Sequence, residues 1–115
     1  SSIAEETIAK VREMASGYKR ILVCLDSNHT HDHVLAELEA YAPMVTPESY
    51  CIVFDTLIED TPAWLGGERP WGPGNSPKSA VHAYLKNNPD FEIDSRIDKK
   101  LLITVAPDGF LKRIG

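Results

Sequence analysis

Asp26 and His29 stand three residues apart just after an apolar run, and a second aspartate, Asp55, ends another such run. Carboxylates are hard oxygen donors, and an imidazole ordinarily titrates near neutrality, which suits it to proton transfer. If the two aspartates emerge on neighbouring strands, their carboxylates lie ~5–6 Å apart and repel by roughly 3 kcal/mol at an effective dielectric near 20. A bridging cation or a bound proton removes that cost. Magnesium fits the cation role, with water and substrate oxygens completing its shell. The alternative stays open: each aspartate caps the turn after its strand. His29, on the loop facing such a site, would be the general base.

The other candidates are less suited to chemistry. His29, His31 and His33 alternate, but the trio straddles an expected helix start, which spoils a zinc geometry. His31 and His33 are therefore read as solvated or helix-capping, and His82 as a surface histidine. Trp64 and Trp71 either cover a ligand or pin their loop to the body. Gly72-Pro-Gly-Asn75 lacks the lysine and hydroxyl residue of a phosphate loop.

Three elements must hold Asp26, His29 and Asp55 in place. The run Ile21–Leu25 is expected to be a strand buried on both faces, as in a parallel sheet with helices on either side. Thr30 would cap a helix whose buried stripe is Leu35, Leu38 and Ala42, ending near Tyr41–Met44 at Pro43 and Pro47. Tyr50–Thr56 repeats the first strand's pattern. Strand, helix and strand of these lengths make a right-handed βαβ unit, so Asp26 and Asp55 are expected at one sheet edge. Ligands of open α/β sheets bind there, outside the carboxyl ends of the strands.

The remaining segments flank this unit. Ser2 and Glu5 read as a capping box for a helix over about Ile3–Ser16, with Gly17 at its end. Leu57–Ser76, rich in proline and glycine and carrying both tryptophans, is too long for an idle connection and starts over the candidate site. Ser76 and Pro77 would open a third helix with Ala80, Val81, Tyr84 and Leu85 inward. Phe91–Asp94 and the apolar run Leu101–Val105 read as late strands, with too little chain between them for a crossover helix, so an antiparallel pair is expected. Phe110–Ile114 either pairs as a final strand or forms a tail.

Bulk properties narrow the class. The 115 residues make one domain's worth of chain, and 43% hydrophobic with 25% charged residues describes a folded globular protein. A net charge of −5 argues against a nucleic-acid groove. No apolar run approaches the ~20 residues of a membrane span, and the first residues lack the features of a signal peptide. Cys24 and Cys51 are expected to be buried thiols in a reducing cytoplasm.

Taken together, Leu25–Thr30, Val34–Pro43, Ser49–Thr56, Trp71–Asn75 and Leu101–Arg113 resemble the cephalosporin hydroxylase family, in register through nearly the whole chain. That family is similar to class I S-adenosylmethionine-dependent O-methyltransferases acting on sugar hydroxyls. The resemblance implies an α/β, Rossmann-like methyltransferase sheet in which magnesium holds a substrate diol while a histidine takes the hydroxyl proton. Carried over, Asp26 and Asp55 would be metal ligands and His29 the general base. Relatives often carry a second acid just before the second aspartate, where this chain has Phe54. No glycine-rich loop or following acid for the cofactor precedes Ile21. The chain thus looks like the carboxyl-terminal half of such an enzyme: two parallel strands with crossover helices, then a late antiparallel pair. Such a half sheet would leave the first strand's edge open, so self-association there is expected. The alternatives are a catalytically silent α/β scaffold domain, or a hydroxylase with an iron held by two histidines and a carboxylate.

Overall fold

Two short apolar runs form the parallel centre of the sheet. The computed structural model describes all 115 residues, Ser1–Gly115. Strand β1 is Val23–Leu25 and β2 is Tyr50–Val53, paired in parallel with Leu25 opposite Val53. Between them runs helix α2, His31–Tyr41, continued by a 3₁₀ turn at Ala42–Met44 that Pro43 tightens. Helix α1, Glu5–Ala15, precedes β1, and α3, Pro77–Lys86, follows the long connection after β2. The chain then forms β3, Phe91–Ile93, a short helix α4, Ser95–Leu101, and β4, Phe110–Arg113. Sheet order is β1-β2-β4-β3, with β4 antiparallel to both of its neighbours. The sheet is therefore α/β and mixed, two parallel strands followed by an antiparallel pair.

Register sorts the sheet's residues onto two unequal faces. Val23, Leu25, Cys51, Val53, Leu111 and Ile93 share one face through their pairings. Val34, Leu38, Tyr41 and Ala42 of the α2 segment and Ala80, Val81 and Tyr84 of α3 pack onto it, and Ile8 and Val11 of α1 close its flank. Leu38, Cys51 and Leu111 have no exposed surface. The opposite face carries Cys24, Ile52, Phe110, Tyr50, Lys112 and Glu92, none of them buried. β1, at the end of the strand order, pairs on one side only.

Several expectations are corrected here. β1 is shorter than Ile21–Leu25 and is not buried on both faces. Cys24 is exposed, because no helix covers the face to which it points, while Cys51 lies in the core. Burial pushes the Cys51 thiol up to about 12, leaving it inert. The Ser2–Glu5 capping box does not form, and α1 has no side-chain cap. The Ser2 hydroxyl donates instead to Glu37 on α2 at 2.6 Å, and Tyr41 donates to the Ser2 carbonyl. Tertiary bonds to a buried carboxylate outweigh a local cap here.

The late segment differs most. Leu101–Val105 is not a strand; α4 ends at Leu101 and the rest is an exposed loop. The Asp94 carboxylate accepts from Arg96 N–H at 3.2 Å and so starts α4 in the space judged too short for a helix. Lys99 and Lys100 fall in its last turn, where the helix dipole favours them. The partner of β3 is β4 instead, which sends Leu111 into the core. The Arg96 guanidinium and the Tyr50 hydroxyl, both bonded to Asp94, hold its carboxyl well below the usual carboxylate range.

Candidate metal centre at the carboxyl edge of the sheet

β1 ends at Leu25, and the next residue is Asp26. Phe54 N–H donates to the Leu25 carbonyl at 3.1 Å, so the parallel pairing continues one step past β2 and delivers Asp55 beside Asp26. Asp55 is left-handed, with φ of 59°, which turns its side chain back over the sheet edge before a 3₁₀ turn, Thr56–Asp60. A non-glycine residue in that region carries strain of about 1–3 kcal/mol, and such residues cluster at functional sites. Thr56, fully buried, ties the turn to the Pro107 carbonyl at 2.5 Å.

His29 completes the group. Its Nε2 lies 3.5 Å from Asp55 Oδ2, and one donor atom from each of Asp26, His29 and Asp55 lies within 4.8 Å of the others. At such a spacing two carboxylates repel by about 3 kcal/mol at an effective dielectric near 20. Around an octahedral ion at 2.1 Å adjacent donors stand about 3.0 Å apart and opposite ones about 4.2 Å, so these three donors would have to draw together to hold a magnesium-sized ion. Two carboxylates with an open, half-exposed approach match the way magnesium is bound, through few protein oxygens and several exchangeable ones. The cluster contains a single histidine, because His31 and His33 are engaged elsewhere.

His31 and His33, expected to be solvated or helix-capping, are half-buried and bonded to side chains on other elements. His31 Nδ1 lies 2.8 Å from Ser79 Oγ on α3, joining the two helix starts. His33 Nε2 meets Ser2, Ser27 and Glu37 within 3.1–3.5 Å. Glu37 is 2% exposed, accepts from Ser2 and Ser27, and leaves its second oxygen without a partner. With Asp26, Val11 and the three residues of β1 it lines a cleft of about 410 Å³ that Asp55 does not border. The His33–Glu37 spacing of one helical turn was the available signal for this cluster. His82 is exposed, as expected, with Asp108 3.8 Å away.

The long connection is ordered and folds against the cluster. Trp71 sets its ring edge against the His29 imidazole at 4.9 Å between centroids, and Arg69 lies 5.9 Å over the same indole. Asn75 fixes this arrangement: its amide donates to the Pro70 carbonyl at 2.8 Å, and its oxygen accepts from His31 N–H at 2.7 Å. That second bond supplies the N-terminal cap of α2 that Thr30, whose hydroxyl turns to Asn28, does not. Glu59 closes the base of the loop by accepting from Gly74 N–H and Ser76 Oγ. Trp71 also borders a groove of about 250 Å³ with Ile58, Pro62, Leu65 and Arg69, whereas Trp64 projects into solvent. Sequence reading singled out both tryptophans but not Asn75 or Glu59, whose importance lies in partners more than ten residues away.

No glycine-rich turn follows β1; the residues there are Asp26-Ser-Asn-His29.

The chain is 34% identical over 116 residues to rhamnosyl O-methyltransferases of Mycobacterium tuberculosis (strain H37Rv) and Mycobacterium bovis (strain AF2122/97), covering 98% of this chain and 45% of theirs. The rhamnosyl O-methyltransferase of Mycobacterium leprae is 32% identical over 114 residues, 97% of this chain and 47% of that protein. The chain thus spans about half the length of these relatives. No solved structure matches it. Residues 1–114 match the family described as rhamnosyl O-methyltransferase/CmcI, so the chain belongs to that family.

Proposed function

We propose that this chain carries the metal- and acceptor-activating half of a sugar O-methyltransferase that uses S-adenosylmethionine as methyl donor. The observation that carries this reading is the convergence of Asp26, His29 and Asp55 at the carboxyl edge of the parallel strands. The strand sequence, two parallel strands and then an antiparallel pair, supports a Rossmann-like methyltransferase sheet of which this is the carboxyl-terminal part. Rhamnosyl acceptors are suggested by the names of the relatives.

Asp26 and Asp55 would hold magnesium. When bound, the ion would lower the pKa of a coordinated hydroxyl and neutralise the charge of the alkoxide. His29, beside Asp55, takes the hydroxyl proton on its imidazole, and the neighbouring carboxylate stabilises the imidazolium that forms. Trp71, fixed by Asn75, limits the rotation of that imidazole and shields one side of the site from water.

Calorimetric titration with magnesium chloride, or manganese as a paramagnetic stand-in, tests the metal assignment. Binding is expected for the chain alone. Asp26→Asn and Asp55→Asn should each weaken it about tenfold or more, equivalent to ~1.4 kcal/mol. Equal affinity in all three proteins would remove the aspartates from metal binding. The same reading includes self-association through the unpaired edge of β1 or the adjoining helix faces. Light scattering after size exclusion should then give a mass above 12.8 kDa at high micromolar concentration; a clean monomer would count against it.

A further inference from the structure

The loop between α4 and β4 is apolar at its tip and has no cover. Leu102 is 86% exposed and Ile103 91%, and Leu101, Val105 and Leu57 are also exposed. Leu57 N–H bonds to the Val105 carbonyl, which brings Leu57 beside the loop. Single exposed apolar residues are common, but three in succession at a loop tip are not accounted for by the folding of this chain. Leu102 has a positive φ of 64°, which a leucine adopts only under constraint.

The chain just before this tip is basic. Lys99 and Lys100 are both exposed and directly precede Leu101-Leu-Ile103, in a protein whose net charge is −5. The nearby acids have partners within the fold, except for one buried oxygen of Asp98. Asp94 is bound to Arg96, Asp98 accepts from Asp108 N–H, and Asp108 faces Lys78 and His82. The two lysines therefore present their charge outward, beside the apolar residues.

We propose that Lys99–Val105 docks this protein on an anionic bilayer surface. Leu102 and Ile103 enter the boundary between headgroups and acyl chains while Lys99 and Lys100 lie along the phosphates, the arrangement by which interfacial segments bind acidic membranes. A second copy of the chain is the poorer occupant, since meeting loop to loop would bring four lysines together. Docking also places the sheet's catalytic edge near the membrane: the loop's Pro107 carbonyl is bonded to Thr56, next to Asp55, and the Gly109 carbonyl to Val53 N–H.

Co-sedimentation with vesicles tests this, comparing phosphatidylcholine alone with phosphatidylcholine containing about 30 mol% phosphatidylglycerol, a surface charge like that of acidic membranes. Binding to the anionic vesicles only, weakening as salt is raised, is expected. Lys99→Ala with Lys100→Ala should lower the partition coefficient about 25-fold, roughly fivefold per lysine. Leu102→Asp with Ile103→Asp should abolish binding. All four positions are exposed, and unchanged circular dichroism and melting verify that the fold is retained. The proposal is overturned if the chain binds neither vesicle, or if binding survives both double variants. It is equally overturned if the aspartate variants dissolve a self-associated species by light scattering while the parent chain takes up no lipid. The variants leave Asp26, His29 and Asp55 intact, so metal binding is read independently in the same samples.

Discussion

If the proposed function holds, His29→Ala in a full-length enzyme containing this segment is expected to lower kcat for methyl transfer to a sugar hydroxyl by about 10²–10⁴-fold, the range over which a positioned general base contributes. The variant should leave magnesium affinity within a few-fold of the parent, because both carboxylates remain. This separates two roles that the geometry permits. The imidazole's Nε2 is 3.5 Å from Asp55 Oδ2 and also lies within donor range of a metal held by both aspartates. A base loses rate without losing the ion; a ligand loses both together. Added imidazole offers a second readout, since it can occupy the space left beside Trp71 and restore part of the rate to a variant that lacks only a base. An unchanged kcat in His29→Ala would remove the histidine from the mechanism altogether.

The part of this site that sequence made legible was local. An apolar run ending in aspartate fixes where the side chain leaves the sheet, and a helix of suitable length between two such runs makes them parallel and adjacent. Asp26 and Asp55 could therefore be brought together on paper. What surrounds them could not. Asn75 and Glu59 matter through bonds that span 44 and 15 residues, to His31 N–H and Gly74 N–H, and nothing in their own neighbourhood announces this. His31 and His33 read as solvated or helix-capping because their partners, Ser79, Ser2 and Ser27, sit on other elements.

Leu101–Val105 misled for a different reason. Its composition is that of a strand, but the place beside β2 is taken by Phe110–Arg113, whose alternation puts Leu111 into the core and Lys112 outside. Asp94 had already begun a helix, and Lys99 and Lys100 completed it. β-propensity describes a fit to a half-buried pleated surface. Where the surface is already filled, an apolar run has nothing to pair with, and here it remains in solvent, available for another partner.

The junction of β4 with β2 also bears on the site, and Gly109 tests that dependence. A Cβ at this position would fall well inside contact distance of the Val53 carbonyl oxygen, and 3.1 Å from that of Ala106. The demand is for close approach, since Gly109 is not in a left-handed conformation. Both obstacles are backbone: Val53 N–H bonds to the Gly109 carbonyl at 2.8 Å, and Gly109 N–H bonds to Ala106 at 2.9 Å. Neither can yield without opening the junction of β2 and β4. Gly109→Ala is therefore expected to cost about 3 kcal/mol, the upper range for overpacking, and to lower Tm by about 10 °C or more. Gly17→Ala is the control, with no atom within 4 Å of its added methyl, and should stay within about 0.5 kcal/mol of the parent. Because Val53 lies two residues before Asp55, the strain in Gly109→Ala should also reach the metal centre, weakening magnesium binding even at temperatures where the variant remains folded. A Gly109→Ala protein melting with the parent would mean that β2 and β4 do not meet as closely as described. The support beneath Asp55 would then have to come from the Thr56–Pro107 bond alone.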